Sequence, residues 1–295
     1  MNTHCPCPYI PCKLRGNCAA CVAKSRRDGT LTNCMENIAI AAGAVLPLRQ
    51  PCTMVVADSE AVAQACADEV AKCLEQKPDA LLCFPAGETV SLTCQELVRR
   101  SKENLIDFSQ ARFVALDEWL DLEDDKENCT GFLKKHLYSP LGIPEEHIYF
   151  FDTEKGPEAA CRDMDNYLEK EGPIDLILLG VGINGHLGLN EPGVDWDQGA
   201  TVVTLDPVTQ KVGQKYFSKQ TALTRGITLG MRHVFAARRV VLQVQGARKA
   251  AIMRQVYAAQ PTMEFPATVM VLLENSLVII DEAAASEIKW VCDAT

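Results

Sequence analysis

The sequence lacks an excess of basic residues, because its 29 lysines and arginines are outnumbered by 39 aspartates and glutamates, giving a net charge of −10 at pH 7. Binding to nucleic acid needs clustered Lys and Arg that neutralise phosphates, so we expect no partner of this class. No apolar run approaches the roughly 20 residues that span a bilayer. The first residues are polar and rich in cysteine, unlike a signal peptide. We therefore expect a cytoplasmic protein that has no membrane partner.

What the sequence does contain is an ordinary balance for a folded protein, with 47% apolar and 23% charged residues over 295 positions. Short runs of branched apolar residues alternate with segments of helical periodicity, which predicts strands joined by helices. We expect an α/β fold, with a Rossmann-like, mostly parallel sheet and helices on both of its faces. The predicted strands lie at residues 53–57, 80–84, 112–116, 147–151, 174–179, 202–205, 226–229, 240–245 and 277–281.

Cysteine is abundant, and its distribution divides the chain. Of 14 cysteines, six fall near the start, at Cys5, Cys7, Cys12, Cys18, Cys21 and Cys34. Thiols are reduced in the cytosol, so this cluster favours metal ligation, with disulfides or free thiols as alternatives. We predict a Cys-rich module over residues 1–36 that binds structural zinc in preference to an iron–sulfur cluster. Residues 37–295 would form the α/β domain, with the scattered cysteines as small core residues.

The pattern richest in functional side chains is the stretch from Ile174 to Gly193, where a buried strand ends in glycines around His186 and Glu191. It contains the G-x-G-x-x-G spacing of dinucleotide-binding proteins, but further glycines and a proline follow too closely for the helix that this motif requires. The preferred interpretation is a loop that presents polar groups into a crevice at the carboxyl end of the sheet. The alternative is a structural loop whose histidine only satisfies a backbone carbonyl.

Polar residues also stand at the ends of other predicted strands. Asp117 and Glu118 follow one strand, where they could act in the crevice or cap a helix. The segment 85–89 forms a tight turn into a helix, whose free N–H groups suit an anion. Lys249 falls in the first turn of a later helix, where a positive charge opposes the helix dipole unless it serves a bound anion.

Three stretches of this kind occur in consistent order, at Leu116–Trp119, Gly182–Gly193 and Gly246–Lys249. Together they resemble the amino-sugar phosphate deaminases, the family of glucosamine-6-phosphate deaminase and its relatives, over roughly residues 50–290. The Asn-Gly-His-x-x-x-Asn-Glu-Pro segment is the most specific part, because the related 6-phosphogluconolactonases lack its Asn-Glu-Pro ending. With Thr224–Gly230, the likeness is closest to the branch described as galactosamine-6-phosphate deaminase/isomerase. The Cys-rich start is not part of that family's usual architecture.

The resemblance implies a reaction in which a 2-amino-2-deoxyhexose 6-phosphate becomes a ketohexose 6-phosphate and ammonia, without a metal or organic cofactor. It implies that His186 opens the sugar ring while Glu191 and Asn184 hold it, and that Asp117 moves a proton between C2 and C1. Asn184 stands where many relatives have aspartate. An asparagine can accept a hydrogen bond from imidazole but cannot stabilise imidazolium by charge.

The resemblance further implies a site for the sugar and its phosphate. The matching residues are Gly87, Glu88, Thr89, Gly182, Lys215 and Lys249. Lys215 falls roughly where relatives use arginine, and lysine lacks the bidentate fork of that residue. Glu88 departs from the family pattern, because a carboxylate would repel phosphate unless Lys249 or Arg248 pairs with it. Either Glu88 points away, or the substrate differs from the family's.

Two other functions stay open at this point. One is an isomerase or a lactonase-like hydrolase that acts on another sugar or sugar phosphate, as Glu88 would favour. The other is a non-catalytic sugar-phosphate sensor, against which the joint presence of Asp117, His186 and Glu191 counts. The sequence does not distinguish the C4 epimers, and it leaves open whether identical subunits assemble or an effector acts on the enzyme.

Overall fold

A computed structural model of the protein describes residues 50–122, 127–258 and 260–290. The module predicted over residues 1–36 lies outside these ranges, as do its candidate metal ligands Cys5, Cys7, Cys12, Cys18, Cys21 and Cys34. Within the described ranges, no three His, Cys, Asp or Glu side chains are grouped so that they could hold a metal ion. Among the helices of those same ranges, none has the length and apolar character of a membrane span.

The described part of the chain is built on a seven-stranded sheet and a smaller three-stranded sheet. The strands are β1 (Thr53–Val56), β2 (Leu81–Phe84), β3 (Arg112–Ala115), β4 (Asp117–Trp119), β5 (Ile148–Tyr149), β6 (Leu176–Leu179), β7 (Thr201–Thr204), β8 (Arg225–Thr228), β9 (Val240–Val244) and β10 (Ser276–Asp281). The large sheet has the order β1-β10-β9-β6-β2-β3-β5, with every pair parallel. Parallel strands bring their carboxyl ends to one edge, so the segments after β2, β6 and β9 meet there.

Helices connect these strands and cover the large sheet. They are α1 (Ser59–Gln76), α2 (Glu88–Lys102), α3 (Cys129–Leu133), α4 (Ser139–Leu141), α5 (Pro157–Glu171), α6 (Pro207–Gly213), α7 (Met231–Ala236), α8 (Ala250–Ala258) and α9 (Glu282–Ala285). A π-helical turn at Lys134–Tyr138 joins α3 to α4, and single 3-10 segments occur at Glu145–His147, Gln214–Tyr216, Ala247–Lys249 and Pro266–Leu272.

Alternate side chains of β2 pack on opposite faces of the sheet. Leu81 and Cys83 belong to the core that includes α5 and α8, whereas Leu82 and Phe84 belong to the core that includes α1 and α2. All four residues are buried. A strand buried on both faces needs a continuous apolar run rather than an alternating one, which explains the sequence pattern. The predicted α/β class, with a mostly parallel sheet between two helical layers, is confirmed.

The first residues of α1 and α2 are determined by the residue that precedes each helix. The carboxylate of Asp58 accepts a hydrogen bond from the Ala61 N–H at 2.9 Å, so Asp58 is the N-cap of α1. Helix α2 begins at Glu88, inside the segment 85–89 for which the sequence predicts a turn. The reason is Gly87, whose φ of 107° ends the extended chain abruptly. Glu88 therefore lies in the first helical turn rather than in a loop.

The small sheet corrects one sequence interpretation. Residues Asp117–Trp119 form a strand, β4, which pairs antiparallel with β8, and β8 pairs antiparallel with β7. Sequence reasoning predicts β7 and β8 as strands but does not separate them from the large sheet. Since only Leu116 lies between β3 and β4, the small sheet extends directly from the carboxyl edge. Asp117 is thereby fixed opposite Thr228.

The cysteines of the described ranges agree with the predicted core role in most positions. Those that are buried are Cys66, Cys83, Cys94, Cys129 and Cys161. Cys73 is half-buried and Cys52 is exposed. For Cys52 the core interpretation is wrong, because the residue precedes β1, an edge strand of the sheet.

Candidate active site

The loop that follows β6 folds back on itself through isolated bridges between Val181 and Leu187 and between Leu187 and Asn190. The buried Asn190 side chain donates hydrogen bonds to the carbonyl oxygens of Leu187 at 2.9 Å and Leu229 at 2.8 Å. These bonds fasten the loop to the end of β8. Residues 180–200, all of which are described, form turns and no helix. The helix required by the dinucleotide fingerprint is thus missing there, as the sequence predicts.

His186 lies in this loop with one ring nitrogen anchored. Its Nδ1 is 3.3 Å from Glu191 Oε2 and 3.1 Å from Thr209 Oγ1. An ionised carboxylate can only accept, so we assign the hydrogen to Nδ1, which leaves Nε2 as the proton acceptor. Burial tends to raise the pKa of Glu191, but the hydrogen bond and the charge of His186 outweigh it and hold the pKa below its ordinary value. The histidine side chain is 19% exposed.

Gly182 adjoins the reactive nitrogen of this histidine. A β-carbon at position 182 would lie 2.4 Å from His186 Nε2, closer than any real contact. The Gly182 N–H also donates to the His186 carbonyl oxygen at 3.0 Å, closing the turn. The sequence predicts that Gly182 lets the backbone approach a sugar. In the structure its missing side chain leaves room for the imidazole ring.

Asn184 does not hold the imidazole, so that part of the expectation is wrong. Its side-chain amide donates to Glu191 Oε2 at 2.8 Å and to Thr209 Oγ1 at 3.4 Å, while its oxygen accepts the backbone N–H of His186 at 3.4 Å. The loop turns so that the amide reaches the carboxylate rather than the ring. Asn184 thus orients Glu191, which in turn orients His186.

Thr209 is a site residue that sequence reasoning misses. It lies in the first turn of α6, about 20 positions after the glycine-rich loop, and only 4% of it is exposed. The N-cap of this helix is Asp206, which accepts the Val208 N–H at 2.7 Å. That capping pattern could have predicted the helix start, but nothing in the sequence pairs the threonine with His186.

The adjacent carboxylates Asp117 and Glu118 have different surroundings. Burial raises the pKa of Asp117 to about 7, and the charge of Glu118 adds to this effect, while a hydrogen bond from the Cys129 thiol opposes it. Glu118 accepts backbone N–H groups from Trp119, Cys129 and Thr130 at 2.8–2.9 Å. The sequence leaves open whether these two carboxylates act in the crevice or cap a helix, and the structure indicates a different role for each. Glu118 caps α3, and Asp117 is left with a pKa suited to accepting a proton near neutrality.

Thr228 connects Asp117 to the histidine loop. It lies opposite Asp117 in the small sheet, and its hydroxyl accepts the Leu189 N–H at 3.2 Å. Gly188, with a φ of 60°, passes so close that a β-carbon would come within 3.0 Å of the same hydroxyl. The structure thereby brings together the strand of Asp117 and the loop of His186, which the sequence separates by about 70 residues.

Thr89 and Lys249 meet at the start of the same loop. Lys249 donates from Nζ to the Val181 carbonyl oxygen at 2.5 Å, and the methyl group of Thr89 lies beside Gly180. The Gln245 side chain donates to the Thr89 carbonyl oxygen at 3.2 Å. Burial, together with the nearby charge of Lys215, lowers the pKa of Lys249 to about 8.

Glu88 has a partner that the sequence does not predict. Its Oε2 lies 2.8 Å from Lys215 Nζ, so the ion pair forms with Lys215 rather than with Lys249 or Arg248. The hydrogen bond and charge of Lys215 lower the pKa of Glu88, and Arg248 contributes through its charge. Beside this pair, the Tyr216 hydroxyl covers Gly87, since a β-carbon at Gly87 would lie 2.9 Å from it. Through the contacts of Lys249 with Val181 and of Thr89 with Gly180, the start of α2 and the residues 247–249 both adjoin the loop that carries His186.

Comparison with known proteins gives a consistent result. Residues 57–279 match the family described as glucosamine-6-phosphate isomerases/6-phosphogluconolactonase. A glucosamine-6-phosphate deaminase of Bacillus pumilus (strain SAFR-032) is 33% identical over 233 residues, which covers 78% of this chain and 96% of that protein. A protein of Escherichia coli (strain K12), provisionally named deaminase AgaI, is 35% identical over 209 residues, covering 70% of this chain and 83% of that one.

A solved structure of a monomeric glucosamine-6-phosphate deaminase superposes with a TM-score of 0.77 at 28% identity, covering 80% of this chain and 99% of the other. The 6-phosphogluconolactonase of Trypanosoma brucei has a TM-score of 0.64 at 18% identity, with 82% and 100% coverage. The second likeness concerns the fold alone.

Proposed function

Because the chain belongs to the family of glucosamine-6-phosphate isomerases and 6-phosphogluconolactonases, we propose that it is an amino-sugar phosphate deaminase/isomerase. Its substrate is a 2-amino-2-deoxyhexose 6-phosphate, either the galactosamine or the glucosamine epimer, and its products are the ketohexose 6-phosphate and ammonia. The observation that carries this proposal is that the strand of Asp117 and the loop of His186 meet at Thr228. The Nδ1 of His186 is anchored to Glu191, and Asp117 has a pKa near 7.

The first step is opening of the pyranose ring, in which His186 Nε2 takes the proton of the O1 hydroxyl and passes it to the ring oxygen O5 as the C1–O5 bond breaks and the C1 carbonyl forms. The imidazolium that forms is stabilised by the Glu191 carboxylate at 3.3 Å from Nδ1. Asn184 and Thr209 fix that carboxylate and ring in place. Asparagine at 184 supports the pair by hydrogen bonding to Glu191, without adding a second negative charge beside the histidine.

The second step moves a proton between adjacent carbons of the open chain. Asp117 removes the proton from C2 while a proton of the 2-ammonium group passes to the carbonyl oxygen O1, which gives an enolamine. Asp117 then returns its proton to C1, which leaves a protonated imine at C2. Water adds to the C2 imine carbon and ammonia departs as ammonium, so that the ketose remains. A base with a pKa of about 7 is half-deprotonated near neutral pH and still able to give the proton back. This is the chemical reason for placing a carboxylate where burial raises its pKa.

The phosphate of the substrate binds at the opposite end of the crevice, at the first turn of α2 and the two lysines. Thr89 supplies a hydroxyl and a backbone N–H, and Lys249 and Lys215 supply positive charge. Lys249 donates to a neutral carbonyl oxygen, so its charge remains available to the phosphate. With its phosphate bound at Thr89 and the two lysines, the sugar would lie between this phosphate site and His186.

The direct test is ammonia release from galactosamine 6-phosphate and glucosamine 6-phosphate, measured in parallel with hydrolysis of 6-phosphogluconolactone. We expect release from at least one hexosamine phosphate and no lactone hydrolysis. His186→Gln should lower the rate at least 100-fold. The matched control is His147→Gln. The Nδ1 of His147 forms a hydrogen bond with the Ala111 carbonyl oxygen at 3.2 Å, outside the proposed site, so the rate of this variant should stay within twofold. Folded protein that releases no ammonia from either sugar would contradict the proposal.

We also propose that residues 1–36 form a separate module with a structural zinc ion bound by Cys thiolates, among them Cys18 and Cys21 in a C-x-x-C arrangement. The module would have no part in the reaction. Metal content of the purified full chain, measured by mass spectrometry, should give about one zinc per chain. The double variant Cys18→Ser/Cys21→Ser should lose it and keep its rate of ammonia release. Iron in place of zinc, or no metal, would contradict this assignment.

A further inference from the structure

The ion pair between Glu88 and Lys215 joins two separate parts of the crevice. Glu88 begins α2, separated by three residues from the end of β2, and Lys215 belongs to the turn Gln214–Tyr216 that follows α6. Their charged atoms are 2.8 Å apart, and the side chains are 77% and 45% exposed. Lys215 also lies 4.9 Å from the centre of the Tyr216 ring, whose hydroxyl covers Gly87. The pair therefore sits beside Gly87 and Thr89, at the end of the crevice assigned to phosphate.

A second ammonium group, that of Lys249, lies near Lys215. Lys249 is largely removed from water, and its contact with the Val181 carbonyl oxygen brings no negative charge. The charge of Lys215 is close enough to lower the pKa of Lys249. Two neighbouring ammonium groups repel each other unless an anion lies between or beside them. In this structure the anion that reaches one of them is the carboxylate of Glu88.

We propose that Glu88 is an internal competitor for the phosphate of the substrate: its carboxylate holds Lys215, and a bound phosphate displaces it. This inference rests on the proposed function, because it concerns the same phosphate site. A phosphate dianion offers more charge and more acceptor oxygens to two lysines than one carboxylate does, so the exchange favours phosphate. A ligand that carries only a carboxylate gains little from the exchange. Glu88 thus selects for a phosphorylated sugar and lowers the affinity for all anions.

The fold itself does not depend on Glu88. The side chain projects mostly into solvent, and an ion pair with this exposure contributes little to stability. A carboxylate in the first turn of a helix also has only a modest favourable interaction with the helix dipole. The neutral variant Glu88→Gln should therefore fold normally, and its binding properties can be compared directly with those of the native chain.

The test measures the dissociation constant of inorganic phosphate for the full chain by calorimetry, in buffer of fixed ionic strength. We expect Glu88→Gln to bind phosphate about three- to tenfold more tightly, and to lower KM for a hexosamine 6-phosphate by a similar factor. The matched control is Glu145→Gln. Glu145 pairs with Lys134 at 2.9 Å with exposures of 78% and 46%, which are nearly those of the Glu88–Lys215 pair. This control should bind phosphate as the native chain does.

Measurements on a Lys215→Gln chain distinguish two ways in which Glu88 could weaken phosphate binding. Glu88 could occupy Lys215 until phosphate displaces it, or its charge could simply repel the phosphate. If Glu88 acts by occupying Lys215, the gain from Glu88→Gln should shrink to within twofold when Lys215 is already Gln. A gain of unchanged size in that background would overturn the displacement, and so would unchanged or weaker phosphate binding by Glu88→Gln alone. Failure of all the proteins to bind phosphate would overturn it as well. Because calorimetry needs no turnover, a tighter phosphate complex in a chain that releases no ammonia would sustain this inference and reject the proposed reaction.

Discussion

Thr209 Oγ1 lies closer to His186 Nδ1, at 3.1 Å, than the carboxylate of Glu191 does, at 3.3 Å. The threonine hydroxyl also hydrogen bonds to Glu191, which helps to keep the pKa of that carboxyl low. One buried hydroxyl is thus shared by the histidine and the residue that orients it. Thr209 touches neither sugar nor phosphate in the proposed reaction. Its effect on the reaction would be exerted through the position and protonation of the imidazole ring.

Replacing Thr209 with valine keeps the shape of the side chain and removes its hydroxyl. We expect kcat/KM for ammonia release to fall about tenfold, which is the effect of losing a hydrogen bond of roughly 1–1.5 kcal/mol. The loss should appear in kcat rather than in KM, because phosphate binding is unaffected. Thr209→Ser should restore most of the rate. A valine variant that is folded and as fast as the native chain would show that the hydroxyl does not position His186.

The pKa of Asp117 predicts the acid limb of the activity profile. As the general base, Asp117 acts when it is deprotonated, so kcat/KM should rise with pH and reach half of its plateau near pH 7. Asp117→Asn removes the base and should lower the rate by about 10³-fold. Rates measured from pH 5 to 9 with the native chain test the position of the limb. A half-maximal pH near 4, the ordinary value of an aspartate, would contradict the assignment.

Because its pKa is raised in the folded state, Asp117 lowers the free energy of unfolding above neutral pH. Its pKa is about 3.8 in the unfolded chain and about 7 in the folded one, so the folded state holds the proton more tightly. Stability from this group therefore falls as pH rises from 4 to 7 and stays low above 7. Asp117→Asn should be more stable than the native chain by about 2–4 kcal/mol at pH 8 and equally stable at pH 4. Thermal unfolding at the two pH values measures both differences, and a variant destabilised at pH 8 would contradict this.

The large sheet could be predicted from sequence because its strands are buried on both faces. A run such as Leu81–Phe84 is apolar throughout, and nothing outside the run is needed to recognise it. The small sheet depends on pairs that are distant in sequence. Asp117–Trp119 becomes a strand only because residues 225–228 lie beside it. Its three residues form no apolar run, and their acidic character suggests a helix cap equally well.

The residues of the candidate site also fall into two groups, those that a local sequence motif indicates and those that depend on contacts distant in sequence. Asp117, His186 and Glu191 each belong to a local motif, which allows the sequence alone to single them out. Thr209 and the pairing of Glu88 with Lys215 depend on where α6 and the turn after it lie against the loops. Those positions follow from tertiary packing, which a single sequence does not show. The opposite roles of Asp117 and Glu118 likewise depend on burial and on the N–H groups of α3.

Glu118 should influence the reaction through the charge it places beside Asp117. Glu118→Gln removes that charge, so the pKa of Asp117 should fall, and the acid limb of kcat/KM should move about half a unit to one unit toward lower pH. The amide can no longer accept all three N–H bonds, which should destabilise the fold by about 1–3 kcal/mol. The measurements are the pH–rate profile and thermal unfolding. A limb that stays at pH 7 would show that burial alone sets the pKa.

Whereas Asp117 should limit the reaction at low pH, Lys249 should weaken substrate binding at high pH. Its pKa is lowered to about 8 by burial and by Lys215, so the ammonium loses its charge as pH rises through 8. KM for a hexosamine 6-phosphate should therefore increase above pH 8, while kcat remains on its plateau. Lys249→Met lacks the charge at every pH and should raise KM at pH 7 by about 10- to 100-fold, the effect of one charge-assisted hydrogen bond to phosphate.

Lys249→Arg separates charge from shape, since a guanidinium stays protonated throughout this range. Its KM should be nearly constant from pH 7 to 9.5, even where the absolute value differs from that of the native chain. If the native KM does not change above pH 8, or if the arginine variant shows the same rise, the titrating group is not Lys249. The phosphate would then be held by Lys215 and the N–H groups of α2, and the buried lysine would act only on the Val181 carbonyl oxygen.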